Sequence, residues 1–170
     1  MDILVRHSEP QDIDAIRRIY AQRSSYANTL QLPYPSLELW QERLGRRHAH
    51  FHSLVACEGE RVLGQLGVET FANPRRRHAA NIGLAVCESA RRKGVAGALL
   101  DAAKDLCHQW LGVRRIELET YTDNAAAIAL FQRHGFVQEG IARGYALRDG
   151  VYVDVLLMAH CRAEGERPPA

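Results

Sequence analysis

One stretch restricts the fold more than any other: NIGLAVCESARRKGVAGALL, residues 81–100. An apolar run of strand character breaks off near Cys87, three basic residues follow, and Gly94 and Gly97 open a new segment. In that segment Leu99, Leu100, Ala103, Leu106, Cys107 and Trp110 recur at helical spacing. A strand that runs into an amphipathic helix through a glycine turn lays the helix back on its own sheet. The first N–H groups of such a helix have no intrahelical partner. They carry roughly half a positive charge through the macrodipole, which makes the helix start a site for a phosphate or pyrophosphate. The expected donors are the N–H groups from Lys93 through Gly94, Val95, Ala96 and Gly97 to Ala98, with Arg91 and Arg92 at the rim.

The rest of the chain reads as alternating short elements. ILVRHS is a strand, and Ser8 with Gln11 around Pro10 fits a capping box that opens a helix carrying Ile13, Ile16, Ile19 and Tyr20. The prolines of LQLPYPS interrupt, and Ser36 caps a second helix with Leu37, Trp40 and Leu44 on one face. Two strands joined at Glu58-Gly59-Glu60 precede residues 81–100. After the long helix come the strand VRRIELETY and the helix DNAAAIALFQRHG, with Gly135 placed as its C-cap. Two last strands meet at Asp149-Gly150, a two-residue hairpin signal. The order β-α-α-β-β-β-α-β-α-β-β predicts one α/β (α+β) domain over 1–162, with a frayed tail over 163–170.

Bulk properties exclude several classes. A net charge of +2 on 170 residues supplies no global field for nucleic acid or a membrane surface. No apolar run approaches 18 residues, and the four cysteines lack metal or disulfide spacing, so the expected location is the cytoplasm. His48, His50 and His52 alternate, but no cysteine or carboxylate lies near enough in sequence to complete a ligand set, and no metal is expected.

The turn itself fails two tests. It lacks the Lys-Ser/Thr of a GxxxxGK(S/T) loop, and Gly94-Val-Ala-Gly97 is not GxGxxG. It does fit Q/R-x-x-G-x-G/A as Arg91-Arg92-Lys93-Gly94-Val95-Ala96, and about 30 residues on comes YTDNAAAIALFQRHGF. In these two motifs, and in element order, the chain resembles the GNAT superfamily of N-acetyltransferases. NTLQLPYPS, WQERL, PRRRHA and YALRDGVYVDVLLMA are similar to a bacterial group that acetylates the α-amine of free amino acids, phenylalanine and methionine among them.

The resemblance implies a mixed, mostly antiparallel sheet of about seven strands flanked by four helices, with strands 4 and 5 splayed. It implies acetyl-CoA as cosubstrate and direct attack by the amine in a ternary complex. Pantetheine would lie along the fourth strand near Ala85 and Val86, the Val86 N–H would hold the thioester oxygen, and Asn124 would contact the pantetheine arm. The family's tyrosine for protonating the thiolate falls at Phe131, which has no proton to give, so Tyr121 and Tyr145 are the substitute donors. Glu119 is the candidate base, and Asn81 cannot act as one. An α-amine is less basic than a lysine side chain, so a weak base suffices. Tyr26, Asn28, Tyr34 and Asp154 are candidate substrate contacts, Asp154 either binding an ammonium group or pairing with an arginine. Two other readings stand beside this one, acetylation of a protein N-terminus and a non-catalytic acyl-CoA-binding module. The resemblance also offers a homodimer through the last strands.

Overall fold

The computed structural model describes residues 2–46 and 48–163. The tail expected from 163 falls, from 164 onward, outside the described residues. In chain order the elements are β1 (Leu4–His7), α1 (Ile13–Ala21), α2 (Arg23–Tyr26), α3 (Leu37–Leu44), β2 (Phe51–Glu58), β3 (Arg61–Thr70), β4 (Ala79–Val86), α4 (Val95–Asp105), β5 (Arg115–Tyr121), α5 (Ala125–Arg133), β6 (Val137–Arg148) and β7 (Val151–Cys161). The described residues thus hold one more helix than expected, the single turn α2.

The seven strands form one sheet in the order β1-β2-β3-β4-β5-β7-β6. Every neighbouring pair is antiparallel except β4–β5. Strand alternation sends side chains to two faces. On one face Leu66, Val68, Ile82, Ile116 and Leu118 meet Leu99, Leu100 and Ala103 of α4. On the other, Val55, Cys57 and Ala85 meet Ile13, Ile16 and Tyr20 of α1 and Trp40 of α3.

Local signals explain most boundaries. Asp149 and Gly150 both have positive φ, 51° and 78°, as a two-residue hairpin turn demands. Gly135, at φ 84°, terminates α5 in the left-handed conformation. Two expectations are corrected. The N-terminal cap is Glu9, not Ser8: the Asp12 carboxylate accepts the Glu9 N–H at 2.8 Å, because Asp12 is also held by Arg6. The long helix does not keep its stripe to Trp110. Its end, Leu106–Trp110, widens to π-helical pitch, with the Leu111 N–H bonded to the Leu106 carbonyl at 3.1 Å, and Trp110 is left 77% exposed.

Asp12 ties β1 to the start of α1. It is buried and accepts two bonds from Arg6, at 2.6 and 3.0 Å. Burial alone would push its carboxyl up, but Arg6 and the Glu9 N–H outweigh burial and hold it below the usual range. Its stabilising form is therefore the ionised one. That contribution is complete above the unfolded pKa of about 3.9 and is lost as pH falls through the lower folded value. Asp12→Ala should cost about 2–3 kcal/mol at pH 7 by urea unfolding. Near pH 3 the difference from wild type should shrink.

Candidate functional site

Strands β4 and β5 are paired only at Ala79↔Arg115, Ala80↔Ile116 and Asn81↔Glu117. Beyond that point β4 stays with β3 as far as Val86↔Gly64, and β5 stays with β7 as far as Tyr121↔Val155. The sheet therefore opens into a wedge. The Cys87 N–H donates to the Leu63 carbonyl of β3 at 2.8 Å. Neighbouring residues of a strand turn their backbone groups to opposite edges. Val86, Leu84 and Ile82 consequently direct theirs into the wedge, and Ala85 does not. Of the two positions expected to meet pantetheine, Val86 has its backbone groups facing the wedge, whereas Ala85 turns its own toward β3 and offers only a side chain to the cleft wall.

At the mouth of the wedge the chain turns through Arg92 (φ 58°) and Gly94 (φ 84°) into α4. The first helical bond runs from the Ala98 N–H to the Gly94 carbonyl, 3.0 Å. That bond spends the Ala98 N–H, so the expected anion site ends at Gly97. The N–H groups of Val95, Ala96 and Gly97 precede it and open onto the cleft. A Cβ on Gly94 would have nothing within 4 Å, so the turn faces open space. Lys93 bends back, its Nζ bonded to the Ser89 carbonyl at 2.9 Å, and Arg91 holds the Ser24 hydroxyl at 2.7 Å.

Loop and wedge join one cleft of about 1670 Å³. A single small-ligand pocket is usually ~300–1,000 Å³, so this cleft is larger than one small ligand needs. Asn124 and Phe131 line it. The Asn124 side chain also caps α5, accepting the Ala127 N–H at 3.2 Å, which leaves its amide group to a ligand. Phe131 is buried edge-on to Phe136 and carries no donor.

The far end lies on the α1/α3 face, where β5 alternation also places Glu119 and Tyr121. Glu119 accepts the Asn81 amide at 3.0 Å through one oxygen. Tyr121 spends its hydroxyl on the Thr29 carbonyl, 3.1 Å. That bond ties the α2–α3 connection over β5 and removes Tyr121 as the simpler proton donor. Tyr145 lines the cleft, 43% exposed, with no hydrogen-bond partner for its phenol among the described residues. Burial, then the negative charge of Glu119, raises its pKa and keeps the phenol protonated.

The four substrate candidates divide. Asn28 lines the cleft, as do its neighbours Thr29, Leu30 and Gln31. Tyr34 does not, being 96% exposed. Tyr26 is half-buried beside Arg23, outside the lining. Asp154 follows its arginine alternative, with Arg143 at 3.4 Å and the Gly144 N–H at 2.8 Å, and does not line the cleft either. Sequence reasoning missed Tyr20, Trp40, Phe51, Gln65 and Ser25, which complete this end. Tyr20 stacks on Trp40 at 4.8 Å and donates to Gln65 at 2.7 Å. Ser25 is buried with its hydroxyl unpartnered. One signal was available: Gln65 is a lone polar residue inside the apolar run VLGQLGV.

Among the described residues no three histidine, cysteine or acidic side chains converge on a metal-sized site, and no helix is long and apolar enough to cross a membrane.

The acetyltransferase (GNAT) family model matches residues 13–136. The L-amino acid N-acetyltransferase AaaT of Escherichia coli (strain K12) is 44% identical over 161 residues, 95% of this chain and 99% of that protein. An N-alpha-acetyltransferase of Saccharolobus solfataricus is 30% identical, over 93% and 92% of the two chains. The crystal structure of spermidine N-acetyltransferase from Vibrio cholerae, in complex with CoA and spermine, shares the fold at TM-score 0.84 and 21% identity, covering 94% and 95%. Motif, topology and full-length likeness agree, and the chain belongs to the acetyltransferase (GNAT) family.

Proposed function

We propose that the enzyme transfers the acetyl group of acetyl-CoA to the α-amine of a free L-amino acid with an apolar side chain. The observation that carries this reading is the continuity of one cleft. It runs from the amide-rich turn, past the splayed β4 edge, to a carboxylate set among aromatic rings. Likeness to an L-amino acid N-acetyltransferase along almost its whole length supports the acceptor class. So does the cover over the acceptor end: Asn28–Gln31 lie across it, fixed by Tyr121 and by Arg43, which bonds Gln31 at 2.6 Å. That cover suits a small acceptor better than an extended peptide.

Each group has one task. Amides of Val95, Ala96 and Gly97 hold the diphosphate, and the splayed β4 edge pairs with the pantetheine amides. The Val86 N–H receives the thioester oxygen as it gains charge, a preorganised contact typically worth about 10²–10³ in rate. Glu119, braced by Asn81, takes the proton from the ammonium group. The amine nitrogen then bonds to the acetyl carbon, releases its excess proton to solvent, and the carbon–sulfur bond breaks. The sulfur leaves with the electron pair and takes the Tyr145 proton, and solvent restores both side chains.

Thiol release measured with a panel of amines tests the reading. L-phenylalanine and L-methionine should turn over at least tenfold faster, as kcat/KM, than polyamines or short peptides. Turnover with peptides alone would make the acceptor a protein N-terminus. Acetyl-CoA binding without turnover on any amine would make the chain a binding module.

A further inference from the structure

Strand β6 is not regular. Between the pairs Ala142↔Val155 and Ala146↔Val153 it carries Arg143, Gly144 and Tyr145, where β7 has only Asp154. Across the sheet Tyr121 is opposite Val155, and Val155 is opposite Ala142. Ala142 and Ala146 therefore share the face of Glu119 and Tyr121. Tyr145 is an odd number of residues from both. In an unbroken strand its side chain would leave from the other face, paired with Tyr152 and away from the cleft. It lines the cleft instead, where burial and then the charges of Glu119 and Tyr121 act on its phenol.

Two features produce the reversal. Gly144 adopts φ 57°, which breaks the alternation. The Asp154 carboxylate fills the gap opposite the bulge, accepting the Gly144 N–H at 2.8 Å and facing the Arg143 guanidinium at 3.4 Å. Bulges of this kind re-aim a side chain.

We propose that Asp154 is a positioning residue: by accepting the Gly144 N–H it locks the β6 bulge that turns Tyr145 toward the departing thiolate. The inference rests on Tyr145 being the proton donor. Asp154 touches no substrate in this scheme and acts through the bulge alone.

Steady-state kinetics of Y145F, D154A, D154N and the double variant D154A/Y145F test it. Y145F should lower kcat about 100-fold, the low end for a general acid. D154A should lower kcat about tenfold, part of that same effect, with KM for acetyl-CoA and for the amine unchanged within about twofold. D154N keeps an oxygen that accepts the Gly144 N–H, and it should restore kcat to within about threefold of wild type. The double variant should be no slower than Y145F, because Asp154 has nothing left to position.

Wild-type kcat in Y145F overturns the donor reading and this inference with it. Reduced kcat in Y145F with wild-type kcat in D154A overturns the positioning role alone, as does an additive loss in the double variant. A raised amine KM in D154A and D154N at normal kcat would make Asp154 an ammonium ligand, which also overturns it. If D154A does not fold, G144A strains the same bulge through its positive φ, while its Cβ meets only Tyr152 at 4.0 Å. Its kcat should fall at least threefold at constant amine KM, and an unchanged kcat refutes the proposal.

Discussion

Glu119→Gln is expected to lower kcat/KM for the amino acid about 100-fold at pH 7, with acetyl-CoA affinity unchanged within about twofold. The substitution preserves shape. Asn81 donates to one Glu119 oxygen at 3.0 Å, and a glutamine oxygen accepts that bond equally well. What disappears is the second, basic oxygen. The amine arrives as an ammonium ion and must be neutral to attack, so without the carboxylate only the fraction already neutral in solution reacts. That fraction rises tenfold per pH unit below the amine pKa. The deficit of the variant should therefore shrink between pH 7 and pH 9, and kcat/KM against pH should steepen. A variant within threefold of wild type at pH 7 would remove Glu119 from the chemistry and leave a water chain as base.

Gly94→Val should raise the acetyl-CoA dissociation constant at least 100-fold. Gly94 sits at φ 84°, where a side chain costs about 1–2 kcal/mol and a β-branched one more. Relief of that strain swings the N–H groups of Val95, Ala96 and Gly97 away from the anion. Two lost bonds to a charged group at about 1.5–3 kcal/mol each exceed the ~2.7 kcal/mol that corresponds to 100-fold. The new side chain also enters the open space in front of the turn. Calorimetric titration with acetyl-CoA measures the effect. Turnover of S-acetylpantetheine, which has no diphosphate, serves as the control and should change less than threefold. Equal loss with both thioesters would mean that the variant damages the fold and not an anion site.

The parts legible in the sequence were those with local causes. The glycine turn into α4, the Asp149-Gly150 hairpin and the Gly135 terminator each need backbone conformations that few residues supply, and each is observed. Splaying of β4 from β5 followed from the resemblance and is present beyond Asn81↔Glu117. The acceptor end was less legible because its parts come from α1, α3, β2 and β3, far apart in the chain. Tyr20 and Trp40 look like ordinary helix-face residues until the fold stacks them. Tyr34 looked like a pocket aromatic and points to solvent, since only the preceding Asn28–Gln31 cross the cleft. The role of Asp154 was hidden for a related reason: a bulge is a mismatch between two strands, and neither strand records it alone.

The most direct measurement is product analysis of a reaction containing acetyl-CoA and L-phenylalanine, with each reactant omitted in turn. N-acetylphenylalanine and free CoA should form in equal amounts, only with both reactants present, and the intact mass of the enzyme should never gain an acetyl group. Acetylated protein without the amino acid, or CoA binding with no acetylated amino acid from any member of the panel, would contradict direct transfer to a free amino acid.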